Sequence, residues 1–182
     1  MHLLLNISRR LLFPSFVTLQ VAIAVPLYFH SGSYHIYLNV GSPIPQRQLV
    51  IVDTGSHYTA FPCDPCMNCG LYTHASSQYF SPSNSSSFVT IPCGQCRWAN
   101  NNINNTGNHD NESCGKNPET YNKCHHKQRY TEGSSWTAYE AQDLVFIATE
   151  DVQESQMLHS QLAAPFVFGC QMEESGYVFD EE

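Results

Sequence analysis

From Ser33 to Val40 the chain reads Ser-Tyr-His-Ile-Tyr-Leu-Asn-Val, with aromatic and branched residues at roughly every second position, the period of a β-strand. Gly41-Ser42-Pro43-Ile44-Pro45 is a turn, because two prolines this close are excluded from a helix interior and from a central strand. Residues 49–52 are an apolar run that predicts a buried strand, and the run stops at Asp53-Thr54-Gly55-Ser56. Together these segments predict a hairpin feeding an acidic loop. Farther along, 88–91 predicts a short strand closed by Pro92. Residues 127–130 lead into the turn-forming Thr131-Glu132-Gly133-Ser134-Ser135, and 136–147 return as the second arm of a hairpin with a polar tip. Residues 165–170 predict another buried strand, and the polar stretch 149–159 fits a short helix or a loop. Nowhere does a long apolar stripe recur at helical spacing, so the pattern predicts an all-β chain.

The pattern changes between about 62 and 125. This stretch holds Cys63, Cys66, Cys69, Cys93, Cys96, Cys114 and Cys124, and only Cys170 lies outside it. Seven of the twelve residues from Asn100 to Asn111 are asparagine, too polar to form a core. The region reads as a surface excursion tied down at its base by cysteines. Asn84, Asn104 and Asn111 each stand two residues before Ser or Thr and are candidate glycosylation acceptors; Asn6 does so too, but within a leader-like segment.

Composition narrows the classes. Charged residues make up 13% of the 182, against roughly 25% in an ordinary soluble domain. The formal net charge of −8 argues against nucleic acid as a partner, since phosphate binding needs a basic patch. Arg9 and Arg10 precede the mostly apolar stretch 11–25, and Ala22-Ile23-Ala24 offers a small-x-small site, so 1–24 reads as a signal peptide cleaved after Ala24. That places the chain in the secretory pathway, where an even number of cysteines forms disulfides. The spacings Cys63-x-x-Cys66-x-x-Cys69 and Cys93-x-x-Cys96, with His74, His125 and His126 available, would suit a metal in a reducing compartment. The leader favours disulfides, with the pairing left open. Adjacent His125 and His126 face opposite ways on a strand and are expected at solvent-facing loop or edge positions.

Asp53 is the sharpest chemical feature. A carboxylate directly after an apolar strand is costly to hold unless hydrogen bonds solvate it. Gly55 lets the chain curl so that backbone N–H groups face the carboxylate, and Thr54 and Ser56 add hydroxyls. The plain alternative is an acidic turn that caps a strand.

The segment Val50-Ile51-Val52-Asp53-Thr54-Gly55-Ser56 resembles the first active-site motif of the pepsin-type aspartic proteases. Upstream, the strand ending at Val40 and the turn Gly41-Ser42-Pro43 resemble their first hairpin. Downstream, Tyr130 with Glu132-Gly133-Ser134 resembles their flap, and Asp143-Leu144-Val145 the strand leaving it. Phe80-Ser81-Pro82-Ser83, Ser86-Ser87-Phe88, Ile91-Pro92-Cys93 and Phe168-Gly169-Cys170 resemble the Cys-rich nepenthesin-like branch, and Pro62-Cys63 with the following cysteines is similar to relatives near plasmepsin V. The similarity runs from about 28 to 178. It implies the N-terminal lobe of the pepsin-like acid protease fold, all-β, with a disulfide-rich insertion at about 62–125. It also implies that Asp53 is one of two carboxylates activating a water, that Thr54, Gly55 and Ser56 support it, and that Tyr130, Gly133 and Ser134 form a flap over an extended peptide substrate.

Two departures bear on the flap. Trp136-Thr137-Ala138 stands where the family usually has a further glycine. Ala60 stands where a tryptophan often hydrogen-bonds the flap tyrosine. This flap is therefore expected to be held differently. No second Asp-Thr/Ser-Gly occurs in the 182 residues, and one carboxylate cannot be base and acid in the same step. The expectation is the N-terminal part of an aspartic endopeptidase acting on polypeptides, inactive alone, with no cofactor and no metal. Its partner would be an absent C-terminal lobe or, as the less favoured choice, a second copy of the chain. Its station would be secreted, vacuolar or lysosomal, or membrane-anchored through a C-terminal segment. The alternative is a non-catalytic secreted binding or inhibitor protein on the same scaffold.

Overall fold

The structure, a computed structural model, describes residues 2–10, 18–30, 32–55, 57–69, 79–98, 114, 121–131, 133–148 and 160–176. The segment read as a leader pairs with itself: His2–Arg10 (β1) and Thr18–Pro26 (β2) form an antiparallel two-stranded sheet separate from the rest. The main sheet has eight strands: Tyr28–His30 (β3), Ser33–Val40 (β4), Gln46–Ile51 (β5), Ala60–Met67 (β6), Val89–Thr90 (β7), His125–Arg129 (β8), Ser135–Ile147 (β9) and Ala164–Ser175 (β10). Helical structure among the described residues is limited to single turns, at Pro82–Asn84 and at 160–162. None is long and apolar enough to cross a membrane. The fold is the all-β lobe that the sequence pattern predicts.

Strand β9 is the spine. Along one edge it pairs antiparallel with β10 over most of its length. Along the other it meets β8, β7 and β4 in succession, at residues 135–139, 141–142 and 145–147. Strand β4 carries β5 on one edge and shares its other edge between β3 and β9. Strand β10 takes β6 as a parallel neighbour, with Gly169 opposite Ala60. Because β9 is flanked on both edges and covered on both faces, 138–141 is buried without interruption, and period-two alternation is lost there.

The core is aromatic. Phe61 and Phe168 stack at 4.5 Å, and Phe80 meets both edge-on at 6.0 and 5.8 Å. Leu38, Val40, Tyr139 and Ala141, with Cys63 and Cys170, complete the cluster. Burying such rings removes the most apolar area per residue and fixes geometry through their quadrupoles.

Two expected buried strands are only partly so. In β5 only Gln48 is buried, and Ile51 and Val52 are 52% and 40% exposed. Strand β5 pairs with β4 alone, so its apolar end stays open. In β10, residues 164–166 are exposed and full burial starts at Phe168. The cause is β6, which covers the second edge of β10 only from Gly169 onward.

All eight cysteines are paired: Cys63–Cys170, Cys66–Cys69, Cys93–Cys114 and Cys96–Cys124. The first ties β6 to β10 across the core, and the last two close loops within the Cys-rich excursion, with Cys124 standing immediately before β8. Thiolates, not disulfide sulfurs, ligate metals, so the pairing removes the thiolate ligands on which the metal alternative rested.

Candidate functional site

The ladder between β4 and β5 continues one step past β5, where the Val52 N–H donates to the Tyr34 carbonyl at 2.7 Å. Asp53 follows, and its Oδ1 accepts the Gly55 N–H at 2.8 Å. A side chain capturing the N–H two residues on is the local turn that Asp makes most readily. A Cβ at Gly55 would lie 3.3 Å from that same oxygen, tighter than most real contacts, so a larger residue would require the Asp53 carboxylate to give way by a few tenths of an ångström. Asp53, Thr54 and Gly55 are all exposed. Around them lie the open side chains of Ile51 and Val52. On the neighbouring strands Tyr34 and Phe29 are exposed too, ring to ring at 5.1 Å. Ser56 lies outside the described residues.

The second element is the hairpin of β8 and β9. Its turn is closed by the Tyr130 N–H donating to the Ser134 carbonyl at 2.8 Å and the Gly133 N–H donating to the Tyr130 carbonyl at 3.1 Å. Gly133 holds φ at +104°, a region that favours glycine, and is exposed with open space around it. Ser134 is buried in the base of the turn, where Gly176 packs against it. Glu132 lies outside the described residues.

Tyr130 is held by a residue that the sequence did not single out for that role. Trp136, 3% exposed, donates its Nε1–H to the Tyr130 hydroxyl at 3.0 Å. Behind it a file of rings forms: His126 lies 5.6 Å from Trp136, and Tyr58 lies 4.4 Å from His126 and 4.8 Å from Trp98. His126 is thus half-buried among rings, not turned to solvent, although β8 is an edge strand as expected; His57 is exposed. Burial holds the His126 ring below the usual histidine range, against the smaller opposing pull of a hydrogen bond to Gln128 and the charge of Glu140. Burial also lowers His125, helped by the charges of His126 and Lys127.

Two buried carboxylates on β9 brace these loops. Glu140, 1% exposed, accepts the N–H groups of Arg97 and Trp98 at 2.6 and 2.9 Å. Asp143 accepts from the Ser87 hydroxyl and from the Leu144 N–H, joining β9 to the 81–88 loop. Cys96, Cys124 and Glu140 bring donor atoms within 4.8 Å of one another, but the two sulfurs are bonded together and the carboxylate oxygens are taken by backbone N–H groups. A cavity of about 360 Å³ lined by Ser42, Pro43, Ile44, Pro45, Leu144, Ser160 and Ala163 includes none of the Asp53 loop. Of the candidate glycosylation sites, Asn84 is exposed on the Pro82–Asn84 turn, and Asn104 and Asn111 lie outside the described residues.

A family model described as "Xylanase inhibitor N-terminal" matches residues 34–182. The chain is 26% identical over 157 residues to aspartic proteinase nepenthesin-2 of Nepenthes gracilis, an alignment covering 85% of this chain and 29% of that protein. It is 25% identical over 150 residues to plasmepsin V of Plasmodium falciparum, covering 82% of this chain and 21% of that one. Over 44 residues, 24% of this chain and 4% of the other, it is 48% identical to aspartic protease 5 of Toxoplasma gondii. The chain therefore spans under a third of the length of these relatives.

Proposed function

The chain belongs to the family of N-terminal lobes of pepsin-like aspartic proteases, and we propose that it supplies the first half of an aspartic endopeptidase, with Asp53 as one of two catalytic carboxylates. The observation that carries this reading is an exposed aspartate, gripped by the Gly55 N–H, directly after the exposed side chains of Ile51 and Val52. Exposed residues of this kind around a carboxylate suit a surface that a second lobe covers. Two carboxylates facing each other a few ångströms apart cannot both ionise cheaply, so they share one proton and titrate as a pair. The ionised member takes a proton from a water as it attacks the peptide carbonyl, and the protonated member donates to the carbonyl oxygen. Thr54, Gly55 and Ser56 hold the loop. The hairpin of Tyr130, Gly133 and Ser134 closes over an extended polypeptide substrate and excludes water.

The second carboxylate comes from a C-terminal lobe, or, less favoured, from another copy of this chain. No cofactor takes part, and the secretory pathway is the station, with 1–24 as the signal peptide. Expressed as its full gene product and assayed on labelled casein between about pH 4 and 6, the protein cleaves, and Asp53→Asn lowers the rate at least about a hundredfold. Cleavage indifferent to Asp53, or none at any pH, overturns the reading. The 182-residue chain alone is expected to be inactive. A second reading, a binding or inhibitor protein on the same scaffold, draws on the description of the matching family model; an uncleaved but tightly bound polypeptide in the same assay would favour it.

A further inference from the structure

We propose that Trp136 is the positioning residue of the hairpin: its indole N–H fixes the Tyr130 hydroxyl as an acceptor and so turns the hydroxyl's own proton outward as a donor. The inference rests on the protease reading for its catalytic consequence but on geometry for its substance. Indole can only donate, whereas a phenol can do both. In the 3.0 Å contact between Trp136 Nε1 and Tyr130 Oη, the tyrosine oxygen must therefore accept. Its remaining capacity is one O–H, aimed away from the indole and available to a carbonyl or a water in front of the hairpin.

Three features make the indole a firm anchor. Trp136 is buried and sits where β9 is paired on both edges, opposite Gln128 of β8 and Glu174 of β10. Ser135, beside it, shares a 2.9 Å hydroxyl contact with Ser175, which pins the strand pair at the hairpin base. The rings of His126 and Tyr58 stand in file behind the indole, and Tyr58 lies on the segment that leaves the Asp53 loop. Hairpin and acidic loop are thus joined through side chains as well as backbone. Ala60, by contrast, has no ring or donor to offer. The tryptophan that holds this tyrosine comes instead from the hairpin's own returning strand.

The chain contains two tryptophans, so its ¹⁵N spectrum shows two indole N–H signals, Trp98 and Trp136, assigned by Trp136→Phe. Tyr130→Phe removes the acceptor and keeps the ring. The Trp136 signal then moves upfield and exchanges faster with solvent, while the Trp98 signal stays. If the Trp136 signal does not respond, the proposal is overturned. In the full gene product acting on labelled casein, Trp136→Phe and Tyr130→Phe each lower kcat about three- to tenfold with KM little changed, as loss of one neutral hydrogen bond implies. The double variant falls no further, because both substitutions remove the same contact. Additive losses, or full activity in Trp136→Phe, overturn it. A wild-type product that cleaves nothing overturns the protease reading and the catalytic role with it, and the indole shift still separates that outcome from an absent hydrogen bond.

Discussion

Glu140 carries its charge into the centre of the sheet and keeps it there by accepting two backbone N–H groups from the Cys-rich excursion. A carboxylate solvated this way exchanges water for fixed dipoles, and hydrogen bonds to a charged group are worth more than neutral ones. Glu140→Gln leaves one acceptor for two donors and turns an NH₂ group toward an N–H. It should cost about 2 kcal/mol in urea unfolding. Gly176 makes a similar demand through shape: φ is +111°, and a Cβ would lie 2.6 Å from the Ser134 Cα. Gly176→Ala should destabilise the lobe by about 1–3 kcal/mol and disturb the base of the hairpin, read as a shift in the urea midpoint. The two cases show where sequence reading stops. Asp53 was legible because its partner, Gly55, is two residues away in a local turn. Glu140 was not, since its donors lie more than forty residues upstream and nothing beside it marks it as interior. The hold of Trp136 on Tyr130 fell between these: the absence of a ring at Ala60 announced a different support without saying which residue gives it.

At the scale of the strands, the hairpin arms and turns were readable from alternation and turn residues, whereas burial was not. Whether a strand end is covered depends on which neighbour reaches it, as β5 and β10 show. Strand β8 has a pH-dependent consequence. Both of its histidines sit below the ordinary value of 6.5 in the folded chain, chiefly through burial. The unfolded chain therefore takes up protons first as pH falls. The stability these rings contribute is present above about pH 6.5 and is lost as pH drops through their lowered folded values. The groups facing them are Lys127 beside His125, and Gln128, Glu140, Tyr58, Trp98 and Trp136 around His126. The urea midpoint should fall between neutral pH and about pH 5, and His126→Phe should flatten part of that fall. A midpoint with the same slope in His126→Phe would assign the loss to other groups.

For the whole molecule, the disulfides do what a thin core cannot. Cys63–Cys170 closes 107 residues, which by chain entropy restricts the unfolded state by about 5 kcal/mol, against between about 3 and 4 kcal/mol for the 28 residues of Cys96–Cys124. Replacing Cys63 and Cys170 together by alanine should lower unfolding free energy more than the same change at Cys96 and Cys124. Equal losses would point to strain or packing in place of loop closure. Count and spacing of cysteines revealed that a stapled framework exists, but which pair spans the core depends on β6 lying alongside β10, a contact between segments far apart in sequence. The exposed apolar side chains on the strands leading to Asp53 also set a schedule. On the reading proposed here, Ile51, Val52, Tyr34 and Phe29 stay wet from the moment the lobe folds until its counterpart docks. That interval is when the nascent polypeptide is most prone to clump, so synthesis in tandem with the counterpart, or shelter by a folding helper, would shorten the exposure.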